Sequence, residues 1–508
     1  MLDPILAALP IVLILGLMLG LGWPAARAGA AGLVVALAQA WLVFARTGTA
    51  YGELGPPTAT AGALAEALFT AATILWIIFP ALAIHQLQTR TGGIEVLRGV
   101  LGQLTPDPRL AAAIVAWFFA LFIEGAAGFG TTIALAAPLL TGLGLSPVAA
   151  LSAALLGHAV GVSFGAVGTP VLPQVAATGL APLELARTTG LFHALLGWIM
   201  LLFTVGVIRG ELTSVKNERP IGGTMLAAAV LFLAPMLAIA WFVGPELPTL
   251  GGALTGGLGF VALLRLRGAS SGGTIDGKAL ARAAAPYLAL IGLVLATRLI
   301  GPLRNALVAV ELAWSWHDTF QGSFQPLYHP GTMLLLSFAL GALWQQPPAN
   351  AVWAALGAAA RQLGGVAMAL IAMLGLSRVL VQAGMIDTLA QATAVGVGGA
   401  WPLVAPFIGV LGTFVTGSAT ASNILFTDFQ RVTTEDIGLP VLIIVAAQGF
   451  GAAVGNIICP HNIIAGGATV GLSGEVGPVL RRTLLACLLY AALGGVLALA
   501  LTWLLPAG

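Results

Sequence analysis

Charge is what this chain lacks. Of its 508 residues, 20 are Lys or Arg and 18 are Asp or Glu, 7 % in all, against about a quarter in an ordinary soluble domain. A water-soluble globule of this length could not clothe its surface with so few charges, so a soluble enzyme is excluded first. Intrinsic disorder is excluded by the 59 % hydrophobic content, since disordered chains need low hydrophobicity and high charge. The net charge is only +2, with Lys at Lys216 and Lys278 alone, so no basic surface for nucleic acid exists. Cysteine is nearly absent too. Cys459 and Cys487 lie in apolar or Gly-rich surroundings and fit neither a disulfide framework nor a metal site. No phosphate-cradling P-loop, zinc-protease helix or Ser/His/Asp spacing occurs. ATP-driven pumping, enzymatic chemistry, a bound metal and any other cofactor are therefore not expected.

What the chain has in abundance is long apolar runs, with a mean hydropathy of +1.02. A spanning helix needs about 20 mainly apolar residues, so the length allows roughly 12 to 14 spans. Clear candidates are 2–22, 28–45, 63–87, 184–208, 221–243, 248–264, 283–300, 364–383, 401–416 and 480–505. Less regular apolar stretches fill 110–180, 331–360 and 417–475. The first segment is expected to stay as a helix rather than act as a secretory signal, since no Lys or Arg precedes it and no polar domain follows. Membrane barrels are excluded because their strands alternate and run only about 10 residues. The expected fold is an all-α polytopic membrane protein, one transmembrane unit over 1–508 embedded in a lipid bilayer.

Basic residues orient the spans. Arg27 is followed by Arg90, Arg98 and Arg109, by Arg209, Lys216 and Arg219, by Arg265, Arg267, Lys278 and Arg282, and by Arg481 and Arg482. All five groups fit the cytoplasmic side. Both ends of the chain and the connection 301–330 then fall outside, where Trp314 and Trp316 suit a membrane interface.

Self-comparison reveals an internal repeat. His158-Ala-Val-Gly-Val-Ser-Phe-Gly-Ala-Val-Gly-Thr-Pro170 matches Gln448-Gly-Phe-Gly-Ala-Ala-Val-Gly-Asn-Ile-Ile-Cys-Pro460, with Gly161, Gly165 and Pro170 recurring at Gly451, Gly455 and Pro460 at a constant offset. Upstream of each lies a second Gly-broken apolar segment, Glu124–Thr132 and Thr416–Asn423. The expected repeat cores are 110–208 and 401–505. The basic loops run them in opposite directions through the membrane. Inverted repeats with broken or re-entrant helices are the signature of secondary transporters, whose substrate site lies near the midplane. Backbone that leaves a helix in hydrocarbon must line a cavity or be buried in protein. Its freed N–H groups can then hold an anion. Any one of these glycines could equally serve close helix packing; the paired order of the breaks favours a site.

The candidate residues follow from the breaks. Glu124 sits deep in an apolar run, where an ionised, unpaired carboxylate costs several kcal/mol. It should find a partner or take up a proton, the property a proton-coupling group needs; alternatively it is an acid stabilised by the half-helix starting near Thr131. His158 and His461 could relay a proton or donate to a carboxylate, as histidine does in such sites, or be satisfied interior histidines. His85 and His193 read as structural. Arg378 lies within an apolar helix and matches a carboxylate's geometry, unless it snorkels to the outer interface; Arg298, near its helix end, is a weaker case. Thr131, Thr132, Ser163, Thr169, Ser418, Thr420, Ser422 and Asn423 can offer neutral hydrogen bonds to a substrate, or serve as helix-packing groups.

At these residues the sequence resembles the lactate permease family, which includes the bacterial L-lactate and glycolate permeases. The resemblance runs through Phe122-Ile-Glu-Gly-Ala-Ala-Gly-Phe-Gly130, Ser163-Phe-Gly-Ala-Val-Gly-Thr-Pro170 and Leu411-Gly-Thr-Phe-Val-Thr-Gly-Ser418 with Ser422-Asn423. It implies proton-coupled uptake of short 2-hydroxycarboxylates across the bacterial inner (plasma) membrane. The chain departs from the family pattern at Ala419, where an acid follows Gly-Ser, and at Asn456, where a Lys stands. His158 and Gln448 replace Asn. These changes fall in the presumed binding region, so the substrate itself stays open. The expectation is a symporter of a small organic anion with protons. Its rivals are a sodium-coupled carrier, a passive anion channel, and an intramembrane enzyme or subunit. An oligomer is compatible with the sequence.

Overall fold

Helices in this chain start where a cap or a proline permits and stop where glycine reverses the backbone. The computed structural model describes residues 2–46, 48–101, 104–128, 130–212, 222–268, 276–472 and 476–504; Lys216 and Arg219 lie outside them. Pro56, Pro108, Pro147, Pro182, Pro248 and Pro330 each open a helix, where a missing N–H costs nothing. Ser146 and Asp276 accept backbone N–H bonds at the N-caps of Pro147–His158 and Gly277–Leu299. Among the described residues, eleven helices are long and apolar enough to cross a membrane. They become twelve when Pro182–Leu196 and Trp198–Glu211, bent by 43°, count as one span. Leu2–Met18 and Thr131–Gly142 are shorter apolar helices. The chain is an all-α polytopic membrane protein.

Several boundaries differ from the hydropathy reading. The 364–383 span is the end of a 34-residue helix, Ala349–Gln382, about 50 Å long at 1.5 Å per residue and so longer than the hydrocarbon core. Its Ala-rich first half is a good helix former but too polar to register as a span. The connection 301–330 contains helix Gly301–Val308 and an antiparallel hairpin, Leu312–Trp316 with Phe320–Phe324. Trp314 packs edge-on against Phe69, with centroids 6.0 Å apart. The ring of Phe320 fills the space that a side chain at Gly62 would need.

Both halves run through the same element order. In the first, Pro108–Ala126 carries a π-helical segment, Ile114–Phe119. A break that includes Ala127, Gly128 and Gly130 leads to Thr131–Gly142, and Pro147–His158 continues through a 3₁₀ turn, Ala159–Phe164, into a second break before Val171–Thr178. In the second, Trp401–Thr416 breaks at Gly417 into Ala419–Ile437, and Val441–Gly455 breaks at 456–459 before Pro460–Ala468. This order is consistent with the inverted repeat.

Among the described residues, two large apolar cores hold most of the buried side chains, with two small clusters beside them. One gathers residues of 104–160, 192–264 and 443–498 around fully buried Trp117 and Phe450. The other gathers residues of 7–87, 287–338 and 355–390. Helix Ala419–Ile437 faces the second core through Ile424, Leu425 and Phe426, and so stands at the seam between the two bodies.

Candidate functional site

The breaks are built from backbone conformations that most residues avoid. Gly130 and Gly417 adopt φ of 79° and 76°, where glycine pays no Cβ penalty. More telling are Ala166 and Val167, left-handed at φ 42° and 56°. For a β-branched residue this is a genuine outlier, costing about 1–2 kcal/mol per residue. Strain of this kind persists only where the surroundings over-determine it.

The surroundings are the opposite repeat. Asn423 donates from Nδ2 to the Pro170 carbonyl at 2.8 Å, Ser163 donates to the Gly449 carbonyl at 3.1 Å, and Gln174 donates to the Val445 carbonyl at 2.6 Å. Gln448 then reaches Ser422 at 3.3 Å and Asn423 at 3.5 Å, and accepts from Gln430 at 2.9 Å. Each bond contributes only about 0.5–1.5 kcal/mol net, but leaving one of these buried groups unpaired costs more. The first break is thereby pinned to the second.

Between them lies a cavity of about 390 Å³. Residues from all four breaks line it: Gly128 and Gly130, Gly165 to Pro170 in part, Thr416 to Ala421, and Asn456 with Asn462. Of the candidates, Glu124, His158, Thr169, Ser418 and Thr420 border this space. Glu124 is 6 % exposed. Its Oε2 accepts from the Thr132 hydroxyl at 2.8 Å, and its Oε1 faces Gly165 so closely that a Cβ there would lie 2.4 Å away. His158 donates from Nδ1 to the Ala154 carbonyl at 2.7 Å, which leaves Nε2 facing the Asn456 amide oxygen at 3.3 Å. A neutral ring with its proton on Nδ1 accepts at Nε2 and would need the amide turned; an imidazolium donates to the oxygen as drawn. The cavity reaches Pro24 and Ala25, beside Arg27 at the end that the basic residues assign to the cytoplasm.

Other candidates serve the frame instead. Thr132 holds Glu124 and does not line the cavity; Thr131 donates to the Gly128 carbonyl at 2.6 Å. Ser163 also accepts from His193 at 2.8 Å, and His193 contacts the Tyr490 hydroxyl at 3.0 Å, so His193 is the structural residue expected. Ser422 donates to the Gly409 carbonyl at 2.9 Å. His461 is exposed and is not among the lining residues, while its neighbour Asn462 lines the cavity. His85 stands on Pro56–Arg90, away from the breaks. Besides the Thr416 hydroxyl, which donates to the Gly412 carbonyl at 2.7 Å, Asn456 and Asn462 are the polar groups that sequence reasoning did not choose. Neither carries a charge, and the one signal was that Asn456 departs from the family pattern.

Arg378 is not at this cavity. It pairs through Nη2 with Asp428 at 3.3 Å and borders a second, larger space of about 1000 Å³ beneath the hairpin. Arg298 borders the same space, bonded to Glu246 at 2.7 Å and stacked over Tyr328 with 3.6 Å to the ring centroid. Glu66 accepts from the Gln321 backbone N–H and from Gln382, both at 3.1 Å, which clasps the hairpin to the helices. Ala166 faces the inner cavity and Val167 the outer one.

Comparisons with known proteins agree with this architecture. The L-lactate permease of Salmonella typhimurium is 29 % identical over 479 residues, covering 85 % of this chain and 86 % of the relative. The glycolate permease of Escherichia coli is 28 % identical over 482 residues, covering 84 % of each chain. Among solved structures, the Neisseria gonorrhoeae MtrF protein, described within a class of antimetabolite efflux pumps, superposes with a TM-score of 0.51 at 14 % identity, covering 94 % of this chain and 96 % of that one; this is a likeness of fold. The sequence pattern of the family described as L-lactate permease matches residues 3–321 and 303–505, and the chain therefore belongs to that family.

Proposed function

We propose that the chain is a secondary active transporter that carries a small monocarboxylate, a 2-hydroxy acid of the lactate and glycolate kind, with protons across the bacterial plasma membrane. The repeat cores 110–208 and 401–505 act together in one transport unit. The observation that carries this reading is the convergence of the helix breaks on one cavity that also holds Glu124 and His158. The names of the relatives support the substrate class.

The substrate carboxylate is held by backbone N–H groups freed at the breaks, by the hydroxyls of Ser418 and Thr420, by the amides of Asn456 and Asn462, and by the Thr169 hydroxyl once it turns from the Ala166 carbonyl, to which it donates at 2.6 Å. Thr132 orients Glu124, and His158 supplies a second proton-bearing group across the same space. Coupling follows from electrostatics. A substrate carboxylate and an ionised Glu124 about 5 Å apart repel by about 3 kcal/mol at an effective dielectric of 20. One proton removes that repulsion, so anion and proton enter the cavity together.

The test is uptake of labelled lactate by proteoliposomes with and without an imposed proton gradient. Glu124→Gln mimics the protonated acid and should keep exchange of internal for external lactate while losing gradient-driven accumulation. Accumulation by Glu124→Gln at the parent level defeats the coupling role. Accumulation that needs Na⁺, and vanishes when choline replaces it, would put sodium in the proton's place.

A further inference from the structure

The inner cavity has two chemistries. Its polar end is the set of helix breaks just described. Its opposite wall is apolar, formed by Val366, Ala369, Leu370 and Met373 with Ile78 and Val162 beside them. Positions 366, 369, 370 and 373 follow the i, i+3, i+4, i+7 spacing of one helix face. Along Ala349–Gln382 they span about 10 Å at 1.5 Å per residue. Leu370 and Met373 sit in the second apolar core, whereas the breaks draw on both large cores and on a small cluster of Val162 with Ala419.

A two- or three-carbon acid seated at the breaks would leave the half-buried part of this wall, Val366 and Ala369, in contact with water; Leu370 and Met373 are already buried. The cavity, about 390 Å³, falls instead at the lower end of the range that organic ligands occupy, about 300–1,000 Å³. An anion whose apolar part lies along the wall removes that surface from water, which is favourable in proportion to the area covered.

Resting on the transport reading above, we infer that the preferred substrate is a 2-hydroxy monocarboxylate with an apolar tail, about four to six carbons in all for a stripe of this length. Its carboxylate sits at the breaks and its tail lies along the Val366–Met373 face. Helix Ala349–Gln382 is then the specificity element, and the broken helices are the anion site common to all such acids.

The experiment is competition against labelled lactate uptake, using the full chain in proteoliposomes, with glycolate, lactate, 2-hydroxybutyrate and 2-hydroxyisocaproate as competitors. The half-inhibitory concentration should fall along that series by roughly threefold to fourfold per methylene, the equilibrium equivalent of moving one CH₂ out of water. Gly365 offers the matching variant. It lines the cavity, and a Cβ there meets nothing within 4 Å, so Gly365→Leu fills the tail space and also favours the helix. In Gly365→Leu the ranking should reverse, with 2-hydroxyisocaproate the weakest competitor. If lactate is transported but the series is flat or falls with length, the apolar-tail assignment is wrong and the transport reading stands. If the parent series rises but Gly365→Leu leaves it unchanged, the tail does not lie on this helix and the assignment again fails. If none of the four acids is transported or competes, both readings fall.

Discussion

Gly165→Ala tests the geometry of the acid directly. The backbone does not resist the change, since Gly165 has φ −65° and ψ 157°, a conformation open to any residue. The obstacle is the carboxylate. The new methyl would lie 2.4 Å from Glu124 Oε1, so the carboxylate must retreat by about 1 Å to reach an ordinary contact. That retreat takes Oε2 away from the Thr132 hydroxyl, now at 2.8 Å, and forfeits a bond that is worth about 1.5–3 kcal/mol when one partner is charged. A loss of that size corresponds to roughly 10- to 100-fold in the population of the oriented acid. Gradient-driven lactate accumulation in proteoliposomes should therefore fall at least about tenfold. Thr132→Val removes the same bond without adding bulk to the cavity, because Thr132 is fully buried behind Glu124, and should fall in the same direction. Gly364→Ala is the control, since a Cβ at Gly364 meets open space. Transport by Gly165→Ala and Thr132→Val at the Gly364→Ala level would refute the claim that a positioned Glu124 matters.

Two further outcomes follow from groups outside the inner cavity. The Glu246–Arg298 pair is buried, with side chains 9 % and 5 % exposed, and removing one partner strands the other charge. Glu246→Ala should cost about 3 kcal/mol of stability, while Glu246→Ala with Arg298→Met should recover most of it; apparent melting temperatures in a double-mutant cycle check this, and additive losses would contradict it. Asp107 lies just before the Pro108–Ala126 span and accepts from the Arg109 backbone at 2.9 Å and its guanidinium at 2.8 Å. Burial pulls its pKa upward, but the bonds from Arg109 outweigh that and hold the carboxyl below its ordinary 3.8. A depressed folded pKa gives stability that is present above 3.8 and lost as pH falls through the folded value. Asp107→Asn should thus lower the melting temperature at neutral pH, by the equivalent of about 1 kcal/mol or less, and make no difference once acid has protonated the parent.

The parts of the site legible in the sequence are those with a local signal. Glu124 announced itself as a lone charge in an apolar run, and the breaks as glycines repeated in the same order. The rest depended on the fold. Asp428 is too distant in the chain for its pairing with Arg378 to be read from spacing, so that arginine could not be moved from the anion site to the outer cavity. His461 and Asn462 are neighbours about 100° apart around a helix start, and no periodicity in so short a helix says which one faces inward. The hairpin was invisible because Trp314 suits a membrane interface as well as it suits packing on Phe69. The apolar face of Ala349–Gln382 reads as ordinary core until the breaks are seen opposite it.

Ala166 and Val167, adjacent in the chain, border different cavities, so the peptide bond that joins them is part of the partition between the two spaces. If water fills both spaces up to that bond, the transmembrane voltage falls largely across it and its neighbours, at about 2.3 kcal/mol per elementary charge for each 100 mV. A bare anion moving past that bond would meet nearly the whole electrical step within a few ångströms, whereas an anion travelling with one proton would meet almost none.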